Sequence, residues 1–428
     1  MVIFIFYCTF APTIFIMGTS KSRGNSKKKT KSWKDSDNIA IKILRWIYHS
    51  ILLVSTLSLL FVYLLSAFSD HIDPRKIVYL SYLGIGYHIV LSAVIIWMIV
   101  LFVIRHWKLG AILAVGLICT WGQVSRYFPL HAFGQSPVSV SEKIQGKEMA
   151  SRIDSVKILT YNTCGMGQVH LSKIKEKIPV LDVIRNSKAD IVCLQEYAFT
   201  LSSGGHTQEQ IRKSLSDIYP YYDFMPNYSR KAMGIAMFSK YPIKNMVRID
   251  KSKKDYVSSM FYELEINNNR VVLVNNHLHS NLIKQQDRRL YDEMIEHFEK
   301  DSLQRIRTGM LRSLGSGFRS RASQCSLIRK FIKDRIGEED VPMIICGDMN
   351  DTPLSYTYRI MRGNLNDAWQ DAGFGAGITY NKHHFWFRID HIFHSHHFKA
   401  LDIEVQRQYD YSDHYPVLAT FQLLNNTK

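Results

Sequence analysis

The stretch Ile344-Ile345-Cys346-Gly347-Asp348-Met349-Asn350-Asp351 decides how the chain is read. Its apolar run predicts a buried strand. Residues two apart on an extended chain point the same way, so the strand carries Asp348 and Asn350 to one spot at its C-terminal end. Taken alone, Gly-Asp-x-Asn is also a strand followed by an Asx turn at Asp351-Thr352-Pro353. The same design recurs. Val156–Asn162 (VKILTYN), Asp190–Glu196 (DIVCLQE), Val271–His277 (VVLVNNH) and Arg388–Phe393 (RIDHIF) each combine an apolar run with an acid, amide or imidazole. Ser412-Asp413-His414-Tyr415-Pro416-Val417 sets its acid and imidazole just ahead of an apolar strand instead.

Outward from these runs, strands and helices alternate. Leu171–Ser187 and Gln208–Ile218 have helical patterns, and Gly234–Ser239 and Met260–Ile266 read as strands. Asn267-Asn268-Asn269 signals a hairpin turn. Ser280 to about Ile336 is long, polar and helix-forming, with Arg305, Arg307, Arg312, Arg319 and Arg321 in its middle. A short helical region around Asp367–Asp371 and three closing strands follow. Hairpins interleaved with helices predict an α/β domain of mixed sheets with helices outside.

The first part of the chain is of another kind. Of the +17 formal charge, about +10 lies before Ser151. Trp46–Phe68 and Ile77–Ile104 read as membrane helices and Leu109–Val124 as a shorter one, giving about three spans in an all-α transmembrane region. A lone histidine in such a helix, His88, is expected to hydrogen-bond a neighbouring helix. Val2–Met17 is apolar but short for a bilayer; it is a signal-like or first membrane segment, or Met17 is the true start. The basic leader Lys21–Lys34 and Arg105/Lys108 belong in the cytoplasm, which places everything after Arg126 outside it. The expected organisation is a membrane anchor over 1–126, a linker over 127–150 and a catalytic domain over 151–428. The six cysteines lack metal-binding spacing and mostly sit in apolar runs, so they read as small buried hydrophobes rather than a disulfide framework.

The residue types at the strand ends imply a chemistry. Glu196 ends a run of buried character, where a carboxylate is costly unless paired or bound to a cation; the alternative is a helix or turn cap. A hard oxygen ligand there suits Mg2+, which needs one or two protein carboxylates, and Asp413 is a second candidate ligand. Asp348 can orient or deprotonate a water, and Asn350 can donate to a phosphoryl oxygen gaining charge. His277 and His414 stand at strand ends, with acids at Asp413 and Asp390. A histidine held by a carboxylate keeps one tautomer and can be cationic beside a phosphate. This set suits metal-assisted phosphoester hydrolysis, and no nucleophile elbow for acyl transfer is visible. His279 shares a face with His277 and is a substrate contact or a solvent-facing side chain. His383, His384, His394, His396 and His397 lack clean ligand spacing and are not read as a zinc site.

Thr160-Tyr161-Asn162, Leu194-Gln195-Glu196, Asn275-Asn276-His277-Leu278, Gly347-Asp348-Met349-Asn350, Arg388-Ile389-Asp390-His391-Ile392-Phe393 and Ser412-Asp413-His414-Tyr415-Pro416-Val417 come in that order. Together they resemble the signature series of the endonuclease/exonuclease/phosphatase superfamily, over about Lys157 to Phe421. The resemblance implies the deoxyribonuclease I-like fold, a four-layer β-sandwich of two packed sheets with flanking helices. Membrane spans ahead of such a domain resemble the membrane-anchored bacterial members. By the same resemblance Glu196 is the principal Mg2+ ligand (Mn2+ being the alternative ion), with Asn162 beside it and Asp413 in support. Asp348 would position or activate the attacking water and Asn350 would help hold the phosphate. His414, oriented by Asp390, would contact or protonate the phosphoryl group, and His277 would be the second imidazole and a candidate general acid.

The resemblance implies a phosphoester substrate: nucleic acid, phospholipid headgroup, or inositol or other sugar phosphate. Tyr161-Asn162 and Gln195-Glu196-Tyr197-Ala198 depart from the Trp-Asn and Gln-Glu-Thr-Lys of relatives that cut abasic DNA. The arginine-rich insert meets a nucleic acid or an anionic lipid surface, or is a solvated helical face. Two function classes stand: a membrane-tethered hydrolase, and a non-catalytic membrane scaffold that binds phosphorylated ligands. The complete set of Glu196, Asp348, Asn350, Asp390 and His414 favours the hydrolase, since a binding module does not need all of it. No protein partner is implied; the expected partners are the substrate and the bilayer.

Overall fold

The computed structural model describes residues 33–130, 155–167, 178–201, 206–228, 231–249, 258–280, 300–380, 382 and 386–424. Val2–Met17, most of the basic leader, most of the expected linker, residues 171–177 and 281–299 of the expected helical stretches, and His383 and His384 lie outside the described residues. The chain forms two compact units, Met1–Ser55 and Thr56–Lys428.

Helix α1 (Trp33–Ala67) is long and apolar enough over Ile39–Ala67 to cross a membrane. The expected second and third spans are each bent. The second is α2 (Tyr79–Ile85) followed by α3 (Tyr87–Val103) at 66°, the third α4 (Trp107–Cys119) followed by α5 (Trp121–Tyr127) at 67°. The first bend falls at Gly86, which interrupts the helical ladder. At the second, the Thr120 hydroxyl turns back to the Gly116 carbonyl at 2.8 Å, a bond that bends helices. Counting each bent pair as one span, up to three are long and apolar enough to cross a membrane.

From Ser155 onward two six-stranded sheets form. The strands are β1 (Ser155–Asn162), β2 (Ile191–Ala198), β3 (Tyr221–Pro226), β4 (Met233–Ser239), β5 (Ile243–Arg248), β6 (Ser258–Ile266), β7 (Asn269–His277), β8 (Met343–Asp348), β9 (Asn366–Asp367), β10 (Asp390–His394), β11 (Phe398–Val405) and β12 (Val417–Leu423). One sheet runs β11-β12-β1-β2-β4-β3 and the other β5-β6-β7-β8-β10-β9. Each holds one parallel pair, β1 with β2 and β7 with β8, and is otherwise antiparallel.

The central strands are apolar along their whole length because both faces are covered. Ile158, Cys193, Leu273, Ile344 and Cys346 point into the space between the sheets. Leu159, Val192 and Leu194 instead meet helix α6 (Pro179–Ser187) and helix α7 (Gln208–Leu215). Val272 and Ile345 meet helix α8 (Lys300–Ile336) and helix α9 (Tyr356–Arg362). The layers run helix, sheet, sheet, helix, with α10 (Ala368–Ala372) beside β10. The β6–β7 hairpin turns at Asn267 and Asn268, both at positive φ. Among the described residues the cysteines are unpaired, Cys193, Cys325 and Cys346 being buried and Cys119 exposed.

The apolar helices from Thr56 on dock against the sandwich. Ser69 Oγ donates to the Leu354 carbonyl at 3.2 Å, and Arg359 Nε donates to the Asp70 carbonyl at 2.9 Å. Tyr82 donates to the Leu311 carbonyl at 2.6 Å, and the Gly375 amide to the Pro129 carbonyl at 3.0 Å. Buried Asp70 is paired with Arg126 at 2.8 Å.

Candidate active site

The two parallel pairs aim their C-terminal ends at the same edge of the sandwich, which is why the motif ends meet. In register, His277 sits opposite Asp348, Asp348 opposite Asp390, and Asn162 opposite Gln195. Gly347 allows the close approach of β7: a Cβ there would stand 2.0 Å from the Asn276 carbonyl oxygen, and its φ is +122°.

Asp348 is the centre. Its Oδ2 accepts from Asn162 Nδ2 and Asn350 Nδ2, each at 3.0 Å, and its Oδ1 accepts from the Asn350 amide at 2.8 Å. Asn350 reaches it through a turn with φ +52°, not through strand alternation as the sequence suggested. The other Nδ2 hydrogen of Asn350 goes to the Leu278 carbonyl at 3.1 Å, so in this state the side chain grips Asp348. Burial, then the Asp390 charge, lift the Asp348 carboxyl to about 6, against the pull of His414 and His277.

The imidazoles flank it. His414 Nδ1 donates to Asp390 Oδ2 at 2.8 Å, and its Nε2 lies 3.7 Å from Asp348 Oδ2. Burial disfavours the imidazolium, but the Asp390 and Asp348 carboxylates outweigh it and hold His414 up at about 10. Asp390 in turn is held below the ordinary carboxylate range by His414, although burial pushes the other way. His277 Nε2 has no hydrogen-bond partner and lies 3.5 Å from Glu196 Oε1 and 3.7 Å from Asp348 Oδ2.

Glu196 is not at the end of its strand, as expected, but inside β2 at a bulge, where the register with β4 shifts between Leu194 and Tyr197. Its φ of +49° belongs to the left-handed region, and bulges at sites serve to re-aim a side chain. The carboxylate is 31% exposed and open to solvent. Asp413 faces the same spot: the Cys164 thiol is pushed up to about 12 by burial, then by Asp413, then by Glu196. Asn162 Oδ1 is turned this way by the bond it accepts from the Cys164 amide at 3.1 Å. Two carboxylates and an amide oxygen are hard donors, and they fit a divalent cation of the Mg2+ kind. Asp348, Asp390 and His414 are also close enough to hold a cation by distance. Without a metal, His414 Nδ1 is bonded to Asp390 at 2.8 Å in that group.

Residues beneath the site had no role in the sequence reading. Gln195 Nε2 bridges the sheets to Asn275 Oδ1 at 2.7 Å. Thr379 Oγ1 accepts from the Asp390 amide at 3.2 Å, and Ser412 Oγ donates to the Asn162 carbonyl at 2.7 Å. Gln195, Asn275 and Ser412 all lie within the quoted motifs, where an uncharged residue beside a charged one draws no notice. His279 is half-buried, and its carbonyl accepts from Arg321 of α8, a wholly buried side chain that also pairs with Asp351 at 3.1 Å.

Two facing mixed sheets between helix layers, with carboxylates and imidazoles gathered at the ends of the parallel pairs, define a domain of the deoxyribonuclease I-like class. Residues 159–414 match the endonuclease/exonuclease/phosphatase family, and the chain belongs to that family. Residues 49–127 match a family described as a domain of unknown function. No curated protein matches the chain. Among solved structures, the human Nocturnin catalytic domain with bound sulfate is similar at 18% identity, covering 63% of this chain and 94% of that one, with a TM-score of 0.46. Truncated Caenorhabditis elegans TDP2 is 18% identical over 63% of this chain and 98% of that one, with a TM-score of 0.43. Bacteroides thetaiotaomicron mannosyl-6-phosphatase is 16% identical over 62% and 99%, with a TM-score of 0.41.

Proposed function

We propose that the chain is a membrane-anchored, divalent-metal-dependent phosphoester hydrolase whose catalytic domain faces away from the cytoplasm. The observation that carries this reading is the convergence of His277 Nε2 and His414 Nε2 on Asp348 Oδ2, each at 3.7 Å. Glu196, Asp413 and Asn162 hold the cation, Mg2+ or Mn2+, which supplies positive charge to the phosphoryl oxygens. Asp348, lifted to about 6, is ionised at neutral pH yet basic enough to take the proton of an attacking water. Asn162 and Asn350 fix its two oxygens. His414, a cation locked by Asp390, donates to a phosphoryl oxygen as the phosphorus–oxygen ester bond breaks. His277 has a nitrogen without a partner and delivers a proton to the departing oxygen.

The topology is supported by the helix contacts. Ser69, Asp70, Tyr82, Arg126 and Pro129 all touch the sandwich. The 17-residue α3 separates that end from Arg105 and Lys108 by about 25 Å. The basic turn is thus at the far end of α3 from the contacts with the sandwich, which supports the orientation that the positive-inside rule predicts.

A lipid-headgroup phosphoester is the second reading, favoured by a short chain of contacts. His88, at the start of α3, meets the Phe387 ring edge-on at 5.9 Å. Phe387 pairs with Tyr380, and the Tyr380 ring stands edge-on to His414 at 5.1 Å. A short run of side chains thereby links the start of α3 to the site, which supports a substrate presented at a membrane surface.

The test offers the purified full chain plasmid DNA, single-stranded RNA, sphingomyelin vesicles and an inositol phosphate, with Mg2+ and then with EDTA. Turnover of one class that needs the metal and vanishes in Glu196→Ala and His414→Ala supports the proposal. Full activity in either variant defeats the assigned roles, and silence on all four from a folded protein shifts weight to another phosphoester first and to the scaffold second.

A further inference from the structure

A cluster at the far end of the sandwich has no part in this chemistry. Asp340, in the loop between α8 and β8, faces His396 and His397 in the turn between β10 and β11. Asp340 Oδ2 lies 3.4 Å from His396 Nε2 and 3.5 Å from His397 Nε2. All three ligand atoms lie within 4.8 Å of one another. Ligands at ~2.0–2.1 Å from a tetrahedral zinc ion stand ~3.3–3.4 Å apart, so the two measured edges already match a zinc coordination shell.

The buried member points the same way. The His397 side chain is 2% exposed, yet its Nε2 has no hydrogen-bond partner and is aimed at the carboxylate. Its Nδ1 lies 3.2 Å from Ser395 Oγ, which also accepts from the Met343 amide at 3.0 Å. The contact fixes the orientation of the ring, and a metal on Nε2 selects the tautomer in which Nδ1 donates to the hydroxyl, the usual support behind a metal-bound imidazole. Spacing along the chain conceals the set, because Asp340 comes more than fifty residues before the histidines.

We propose that Asp340, His396 and His397 bind one zinc ion, with water in the fourth position, and that the ion staples the α8–β8 loop to the β10–β11 turn. The site is distinct from the catalytic centre, which lies at the opposite end of β8, roughly 15–20 Å along the strand. Two imidazoles and one carboxylate are a borderline donor set that selects zinc over Mg2+.

The test uses the full chain without a histidine tag, carrying Glu196→Ala so that the catalytic cation site does not contribute. Zn2+ is titrated, bound metal is counted after dialysis, and the unfolding temperature is followed. One equivalent of Zn2+ is expected, with a rise of a few degrees in unfolding temperature, and both are lost in His396→Ala and in Asp340→Asn. These two side chains are exposed, so their replacement leaves the fold intact. Zinc that is not retained by the parent, or is retained equally by both variants, overturns the proposal. Neither result bears on hydrolysis, since the readouts are stoichiometry and stability.

Discussion

Asp390 sets the charge of the candidate site without facing the substrate. It holds His414 as an imidazolium through a 2.8 Å bond in a fully buried setting. Asp390→Asn keeps the shape and removes the charge, leaving burial to pull His414 towards its neutral form. On whichever substrate that test identifies, we expect kcat to fall by about 10²–10⁴-fold with little change in KM. A loss confined to KM would mean that Asp390 serves binding instead. Gly347→Ala acts through sterics: the new Cβ meets β7 backbone at 2.0 Å with φ at +122°. A cost of about 3 kcal/mol or more, read by denaturant unfolding, is expected. Asp223 offers a pH signature. Burial raises its carboxyl, against the hydrogen bond from the Tyr262 hydroxyl at 2.9 Å. The native state therefore keeps this proton to higher pH than the unfolded chain does. Its contribution is complete below the unfolded value and is lost as pH rises through the folded one. Asp223→Asn should abolish that falling limb in unfolding free energy against pH, and an unchanged profile would refute the assignment.

At the scale of elements, α8 shows what an arginine-rich pattern conceals. Arg321 is wholly buried against Phe318 and paired with Asp351, and it carries the His279 carbonyl at the edge of the site. Removing one partner of a buried pair costs about 3–5 kcal/mol, whereas a surface arginine costs close to nothing. Arg321→Met should therefore be strongly destabilised in thermal unfolding, with part of the loss recovered in Arg321→Met/Asp351→Asn. Sequence alone left this stretch open between a polyanion contact and a solvated face, because a buried arginine is identified by a partner thirty residues away. The motif-bearing strands were legible, since two covered faces demand an unbroken apolar run and the site residues mark where it ends. The edge strands β3 and β5 were not, because polar residues interrupt their apolar pattern: Asp223 in β3 turns inward to the Tyr262 hydroxyl, and Lys244 in β5 faces solvent. The bulge at Glu196 was hidden for a different reason: nothing in Leu-Gln-Glu-Tyr distinguishes a left-handed residue from a regular one. The bends at Gly86 and Thr120 were hidden likewise, since hydropathy registers length and composition but not direction.

At the scale of the molecule, the sandwich and the apolar helices from Thr56 on share one compact unit, so the sandwich is not expected to be indifferent to losing those helices. Cutting the chain to 151–428 strips the Arg388 guanidinium of its bond to the Arg126 carbonyl and Arg359 of its bond to Asp70. The Leu354 carbonyl loses Ser69, and Phe318 loses the Tyr82 ring, centred 5.6 Å away. Each lost hydrogen bond is worth about 0.5–1.5 kcal/mol, more where a buried group is left without a partner. The damage is not uniform, because the contacts concentrate on the middle of α8, on α9 and the turn before it, and on Arg388, two residues before Asp390. Amide exchange resolves this where a global unfolding temperature would mix helices with sandwich. In the excised fragment, exchange should quicken most in Tyr356–Arg362 and around Arg388–Asp390, and least in β11, which none of these contacts touches. Activity should fall with it, since the same segment delivers Asp390 to His414. Equal protection in fragment and full chain would mean that the helices only tether the domain; selective loss beside Asp390 would mean that they also hold the candidate site in register.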